Sequence, residues 1–492
     1  MTTGAPPAVL PLSDAARRGA LAGLAGGLVF GAAMLRLGML PNAAAIIRLS
    51  SPVAGFVVHM LIAALVGAGF GILVMRQRAG AGELLFWGLC YGALWWLLGA
   101  LTLYPVLTGE PVEWGVSAAR MAFPSLVGHL LYGATVGLTL ARLRSELVPA
   151  TRRGERGMGG RLMHGGLAGV LATTVVSLAV PGWRAMEAFT VATPWRWLAL
   201  VLLGAVIGAG YPLLFTSRVQ GAGPALIRGV CYGFLCWLVV GLTLPPLLSK
   251  GSLDWSAVAA RSTAGLMPGY LLAGAGIAVI IVASGGLVRM LFADNVRRLA
   301  AEGAGVRSVR AIGHGMLAGI AGGVVFTLVL LPIDVLPVVA RLVGTGSPAV
   351  GLLVHMLIAQ AVGISFTLLF HRHSVDTASA VGWGASYGFF WWVLGPLTLM
   401  PLLLGVSPQW NSQVLAASFP SLVGHLCYGV VVGITIHRLE LRASPWWLPR
   451  SELQSDHLRR HREQLLGSAP ALWALTVLIA MLIPLILDVT ST

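Results

Sequence analysis

Charged side chains are scarce in this sequence. Asp, Glu, Lys and Arg make up only 10% of its 492 residues, whereas a soluble globular domain is about a quarter charged. Cysteine is rare too, and the four cysteines lie inside apolar stretches without the spacing of metal ligands. Buried free cysteine behaves as a small hydrophobic residue. We therefore expect neither a soluble domain nor a disulfide framework.

Motifs of hydrolytic or nucleotide-dependent enzymes give no support for catalysis. The sequence contains no His-Glu-x-x-His zinc motif and no phosphate-binding loop of the Gly-Lys-Ser/Thr kind. Each of those motifs fixes a metal or a phosphate group through its spacing. We expect a protein that is not an enzyme.

Apolar residues are what the chain has in abundance. They make up 57% of it, and the mean hydropathy is +0.86. Apolar runs recur at the length of about 20 residues that a helix needs to cross a bilayer, and lipid admits only segments that satisfy their own backbone hydrogen bonds. The runs predict thirteen transmembrane helices, at residues 19–38, 53–75, 84–105, 121–141, 162–180, 195–216, 226–248, 264–286, 312–331, 348–370, 380–404, 417–437 and 470–488.

The basic residues indicate how these helices are oriented. Of the 32 lysines and arginines, 24 lie on one side of the membrane, at the N-terminus or after the even-numbered spans. The other 8 lie on the opposite side, after the odd-numbered spans. Cytoplasmic loops carry such an excess of Lys and Arg. The bias predicts a cytoplasmic N-terminus and an external C-terminus, with the lipid bilayer and its anionic headgroups as partners at the cytoplasmic face. The net charge of +15 is thereby explained without nucleic acid, which we do not expect as a partner.

Internal repeats organise the chain. The segment FPSLVGHLLYG at 123–133 recurs as FPSLVGHLCYG at 419–429, and SPVAGFVVHM at 51–60 recurs as SPAVGLLVHM at 347–356 with the same offset. A diverged copy lies between them, since RGVCYGFLCWLVVGLTLPP at 228–246 matches 87–105. Each copy has four spans, an even number, so the chain returns to the same side of the membrane after each copy. All three copies therefore have the same orientation.

The predicted fold is therefore an all-α polytopic membrane protein with three parallel four-helix repeats and one C-terminal transmembrane helix. Whether the repeats close around a threefold axis is left open by the sequence. The predicted domains are a first repeat, a diverged middle repeat, a third repeat, and an interfacial or cytoplasmic segment with the final helix, at residues 1–150, 151–300, 301–440 and 441–492.

Four histidines inside the predicted spans are the candidate functional residues, because ionisable groups are expensive to bury in a membrane. His59 and His129 lie at nearly the same depth in the outer half of the second and fourth spans of the first repeat. His355 and His425 repeat the pattern in the third repeat. Second and fourth helices face each other across a four-helix bundle, so each pair is expected to converge.

Four interpretations of these pairs compete. Each imidazole can simply bond a backbone carbonyl, because buried polar groups need partners. Each pair can instead relay a proton or a cation, since imidazole titrates near neutrality. It can also ligate a b-type haem through both rings, or hold a transition metal by histidine alone, although two histidines without a carboxylate or thiol make a poor zinc site.

Several polar residues recur from repeat to repeat near the positions of the histidines. Third-span tyrosines stand in an aromatic stripe, and a threonine in a Leu-Thr-Leu motif is followed by a proline that we expect to end the span. In the middle repeat, Tyr270 stands at the position of the fourth-span histidine, and Val201 or a neighbour stands at that of the second-span histidine. These supporting residues are Tyr91, Thr102, Tyr387, Thr398 and Tyr270.

These motifs resemble those of the YagU-like family of small bacterial inner-membrane proteins, whose members have about four spans. The resemblance covers about 130 residues of a repeat, and the middle repeat departs from it at both histidines. It implies a bacterial inner membrane and a link to acid tolerance, and no established reaction. The matching residues are His59 and His355, 101–105 and 397–401, and Gly128-His129-Leu130 with Gly424-His425-Leu426.

Taken together, the sequence favours a multi-pass inner-membrane transporter or channel for protons or a small solute that uses the outer-half histidine pairs. A haem-binding electron-transfer subunit and a non-catalytic structural subunit of a membrane complex are the alternatives. A cofactor, if present, and any metal are expected at the two histidine pairs.

Overall fold

The computed structural model describes residues 11–75, 80–144, 157–180, 183, 195–215, 222–292, 304–370, 373–374 and 376–442. Within these ranges the chain is helical and contains no strand. The predicted thirteenth span, at 470–488, and nearly all of the segment that leads to it lie outside the described residues. The direction of the chain across the membrane remains a prediction.

Twelve helices of the described residues are long and apolar enough to cross a membrane. This confirms a polytopic all-α architecture. In chain order they are α1 Leu12–Arg36, α2 Pro52–Leu73, α3 Ala81–Thr108, α4 Phe123–Leu143, α5 Met158–Ala179, α6 Arg196–Leu214, α7 Ala222–Lys250, α8 Ala264–Ser284, α9 Val309–Ile333, α10 Pro348–Phe370, α11 Thr377–Leu403 and α12 Phe419–Arg442.

Helix pairing is the same in each set of four. The first helix packs on the second, the third packs on the fourth, and the first and fourth contact each other. The chain divides into two compact units: residues up to 153 with 246–259, and residues 154–245 with those from 260 onward. The first unit holds α1 to α4, and the second holds α9 to α12 together with α5, α6, α8 and most of α7.

Glycines bring neighbouring helices into backbone contact. A Cβ atom placed on Gly23 of α1 would lie 2.2 Å from the carbonyl oxygen of Ala63 on α2, and one on Gly88 of α3 would lie 2.1 Å from that of Gly133 on α4. Small residues permit such close approach in membrane bundles. The glycine spacing in the sequence predicts this packing, and the helices that carry the histidines are held by it.

The third helix of each set contains a π-helical turn. The turns cover Trp96–Leu103 in α3, Trp237–Thr243 in α7 and Gly395–Leu399 in α11. Each contains the Leu-Thr part of the motif, whose proline was expected to end the span. That expectation is wrong, because α3 continues through Pro105 to Thr108. Within this turn, Thr102 Oγ1 donates to the carbonyl oxygen of Leu97, five residues earlier.

Candidate functional site

His59 contacts the backbone of a neighbouring helix. It lies seven residues after Pro52, about 10 Å along α2, and its Nε2 is 2.9 Å from the carbonyl oxygen of Gly27 on α1. A carbonyl only accepts, so Nε2 of the neutral ring carries the hydrogen and Nδ1 keeps the lone pair. His355 repeats the arrangement, with Nε2 3.2 Å from the carbonyl oxygen of Gly323.

His129 uses its other ring nitrogen. Its Nδ1 is 2.8 Å from the carbonyl oxygen of Ser125, one turn earlier on α4, and Nδ1 of His425 is 2.7 Å from that of Ser421 on α12. The neutral rings are therefore protonated at Nδ1, and the lone pair is at Nε2. Among the residues that the structure describes, neither Nε2 has a hydrogen-bond partner.

A phenylalanine contacts both imidazoles of each pair. The ring centroid of Phe30 on α1 is 5.3 Å from that of His59 and 5.1 Å from that of His129. In the third repeat Phe326 lies 5.2 Å from His355 and 4.6 Å from His425. The histidines of a pair thus gather around one aromatic ring. A haem ligated by both rings would have to take the place of that phenylalanine.

The free Nε2 atoms face the π-helical turn. A Cβ atom on Gly99 would lie 4.0 Å from Nε2 of His129 and 3.9 Å from Cε3 of Trp95. The same two distances recur in the third repeat around its corresponding glycine. Glycine therefore leaves a space of about one methyl group in front of a basic nitrogen. We call each such place an outer recess; the two consist of Trp95, Gly99 and His129, and of Trp391, Gly395 and His425.

The middle repeat has no such recess. Cys236, Val240 and Tyr270 stand at the positions of the tryptophan, glycine and histidine. Val240 therefore carries a side chain at the position where the other two repeats have glycine. The Tyr270 ring is 2% exposed and packs 5.8 Å from Trp183, and its hydroxyl has no hydrogen-bond partner within the described ranges. Buried Leu200, the neighbour of Val201, stands where the first repeat has His59.

The third-helix tyrosines lie deeper than the recesses and differ between repeats. The hydroxyl of Tyr91 donates to the carbonyl oxygen of Val66 at 2.8 Å, and that of Tyr232 donates to the carbonyl oxygen of Ile207. The hydroxyl of Tyr387 instead lies 2.8 Å from the hydroxyl of Ser365. Thr398, like Thr102, donates to the carbonyl five residues earlier in its own helix.

Polar bridges at the predicted cytoplasmic ends were missed from the sequence. In the first repeat Arg18 donates to the carbonyl oxygen of Leu143. In the third, Nδ1 of His314 on α9 is 2.9 Å from a carboxylate oxygen of Glu440 on α12. Arg18 and His314 stand at corresponding positions of the first helix, and Leu143 and Glu440 are one residue out of correspondence on the fourth, so comparing the repeats end to end is the signal that would have found them.

One catalytic pattern was also overlooked. Residues 384–388 read Gly-Ala-Ser-Tyr-Gly, which matches the Gly-x-Ser-x-Gly pattern of hydrolases. That pattern is functional at a sharp turn between a strand and a helix. Ser386 lies inside α11, is fully buried and donates to the carbonyl oxygen of Gly382. The serine therefore caps local backbone and is not presented as a nucleophile.

No group of three or more His, Cys, Asp or Glu side chains that could hold a metal ion occurs in the described part of the chain. Comparison with family models, with curated proteins and with solved structures gives no match to this chain.

Proposed function

We propose that this chain is a transport protein that moves protons across the membrane, with the two outer recesses as its proton-accepting sites. It would lie in a bacterial inner membrane with its N-terminus in the cytoplasm. Its thirteen spans would form three parallel four-helix repeats and one C-terminal helix. The threefold excess of basic residues on one side supports this orientation. The resemblance to the YagU-like family fits the same location.

The observation that carries the proposal is the state of His129 and His425. Each ring is bonded through Nδ1, which leaves Nε2 as a base beside the glycine of the π-helical turn, where there is room for about one methyl group. Imidazole is the side chain whose ordinary titration lies near physiological pH. Burying an ionisable side chain within a membrane span is costly, so such residues commonly mark functional sites. π-Helical turns, which face both nitrogens, are frequent at functional sites.

A structural subunit of a membrane complex is the second candidate. It is favoured by the backbone carbonyls that all four histidines contact, because such bonds satisfy a buried ring without any further role. The tight glycine contacts between helices suit a purely structural bundle as well. The two candidates differ in one respect: only transport requires Nε2 to exchange protons.

Proton flux into vesicles tests the proposal. Purified protein in liposomes with an internal pH dye and an imposed potassium diffusion potential should acidify the lumen faster than protein-free liposomes. Replacing both recess histidines, His129→Gln with His425→Gln, should lower that flux about tenfold or more, because an amide cannot accept a proton. His164→Gln, at the bond to Ser284, is the matched control and should keep the flux.

Two results would contradict the proposal that protons are transported through the outer recesses. One is wild-type flux equal to that of protein-free liposomes, and the other is full flux in the double variant. Co-purification at fixed stoichiometry with other membrane proteins, together with no protein-dependent flux, would support the structural candidate instead.

A further inference from the structure

We infer that the sequence predicted to form the last span, residues 470–488, packs against the outward face of α9 and α10, where Gln360 forms a hydrogen bond with Thr476. The inference does not depend on proton transport. It comes from a polar side chain that only the third repeat carries at this place inside the membrane.

Gln360 is the only asparagine or glutamine in the twelve spans. It lies on α10, twelve residues after Pro348, which is about 18 Å from the outer end of the helix. Its Nε2 donates to the carbonyl oxygen of Met356 at 3.2 Å, one turn earlier in the same helix. Within the described ranges the amide oxygen and the second amide hydrogen have no partner. Lipid supplies none, so another helix is needed to satisfy this amide.

The position of Gln360 borders an apolar groove in the first repeat. That groove has a volume of about 410 Å³ and is lined by Leu24, Phe56, Val57, Met60, Leu61 and Ala64. We call the corresponding surface of the third repeat the α9–α10 face; it consists of Ile320, Leu352, Leu353, Met356, Leu357 and Gln360. Four of these six side chains are exposed apolar residues. The same surface is therefore wholly apolar in one repeat and carries an amide in the other.

The chain itself offers an occupant for the α9–α10 face. Residues 443–469 separate the end of α12 from the predicted last span. These 27 residues reach about 40 Å even when they are wholly helical, so the last span can begin anywhere around the third repeat. Only the third repeat is followed by an additional span, and the other two repeats have Ala64 and Ala205 in place of the glutamine. The unrepeated amide and the unrepeated span therefore occur together.

Thr476 is expected at the same depth as Gln360. It is the only residue with a hydroxyl in 470–488, and it lies twelve residues before position 488 at the outer end, again about 18 Å. A hydroxyl both donates and accepts, so it can bond to the free amide oxygen or to the second amide hydrogen. Ala480 follows four residues later. Small residues at that spacing let membrane helices approach closely, which favours packing of this side of the span.

Cross-linking of paired cysteines tests the inference. Leu357→Cys and Ile479→Cys are placed three residues outward from Gln360 and Thr476, so that both polar residues are kept. A protease recognition sequence inserted after Ser455 separates the last span from the bundle. After oxidation in liposomes and cleavage, the C-terminal fragment should stay attached to the rest of the chain until a reductant is added.

The matched control uses the first repeat. Leu61 is the counterpart of Leu357, and the two side chains are similarly exposed, at 67% and 58%, so neither replacement disturbs the packing of the bundle. Leu61→Cys with Ile479→Cys should release the fragment on cleavage. Ile479→Cys alone should release it as well, since retention would require one of the native cysteines to lie beside the last span.

Affinity of the cleaved fragment for the bundle tests the hydrogen bond. Without a cross-link the fragment is held only by its contacts. Gln360→Ala introduces the residue of the other repeats and should raise the dissociation constant in detergent about threefold, the usual effect of one hydrogen bond between membrane helices. Thr476→Val should have the same effect, and the two together should cost no more than either alone.

Each contrary result overturns the inference. Release of the fragment from the Leu357→Cys pair, equal retention with both pairs or retention with Ile479→Cys alone would place the last span elsewhere. A cross-linked dimer from Leu357→Cys alone would assign the α9–α10 face to a second copy of the chain. Unchanged or additive effects of Gln360→Ala and Thr476→Val would show that the two side chains do not bond. Proton flux is not measured in these experiments, so the inference and the proposed function can fail separately.

Discussion

Replacing Gly315 by alanine should lower the free energy of unfolding by about 3 kcal/mol, the upper part of the range for overpacking a close-packed contact. Its added Cβ would lie 2.5 Å from the Cα of Ile364 and 2.9 Å from the carbonyl oxygen of Gly363, both on α10. Backbone atoms cannot rotate aside as a side chain does. The two helices must therefore separate at this contact.

Gly313→Ala is the matched control, two residues earlier on the same helix. No atom lies within 4 Å of a Cβ at that position, and alanine is favoured over glycine in a helix by about 1 kcal/mol. The two variants should therefore shift the melting temperature in detergent in opposite directions. Equal stability of the two would mean that α9 and α10 do not meet at their backbones.

Phe326→Ala should cost about 3 to 5 kcal/mol, the usual loss for deleting a buried aromatic ring. The ring is 8% exposed and contacts His355 and His425. It also covers Gly424, where a Cβ would lie 2.1 Å from its Cε2 atom. Removing it leaves a cavity between the two imidazoles that no neighbouring side chain fills without moving a helix.

A double-mutant cycle makes that prediction specific. Gly424→Val alone should destabilise the protein because it collides with the Phe326 ring. Combined with Phe326→Ala, the valine enters the space vacated by the ring, so the double variant should be more stable than the sum of the two losses predicts. Thermal unfolding of the four proteins gives the coupling energy. Additive losses would show that the ring does not lie against Gly424.

The fold was largely predictable because its causes are local. A bilayer demands long apolar helices, and such runs are visible in any sequence that has them. The glycines at 315 and 319 predict close packing by their four-residue spacing. The π-helical turns were not predictable in this way. Pro105 looks like a helix end in the sequence, although α3 continues past it. In the structure, the indole nitrogen of Trp96 at the start of the turn donates to the carbonyl oxygen of Ala122, just before α4, which is a tertiary contact.

For the candidate histidines, the depth was predictable and the bonding was not. Helical rise places His59 and His129 at one depth, and both contact Phe30. Which ring nitrogen each uses depends on which carbonyl lies nearby, a tertiary fact that sequence spacing does not contain. The role of Gly99 was missed for a related reason, since a glycine among 64 gains meaning only when the imidazole opposite it is known.

The tautomer of the fourth-span histidines tests the proposed proton-accepting sites most directly. Solid-state NMR of protein carrying a nitrogen label in its histidine rings, in lipid at neutral pH, distinguishes a protonated ring nitrogen from a bare one. The His→Gln variants at 129 and 425 assign the two signals. We expect hydrogen at Nδ1 and a bare Nε2 in both residues, with the opposite tautomer in His59 and His355. Hydrogen at Nε2 and a bare Nδ1 in His129 and His425 would contradict it, because no base would then face the outer recesses.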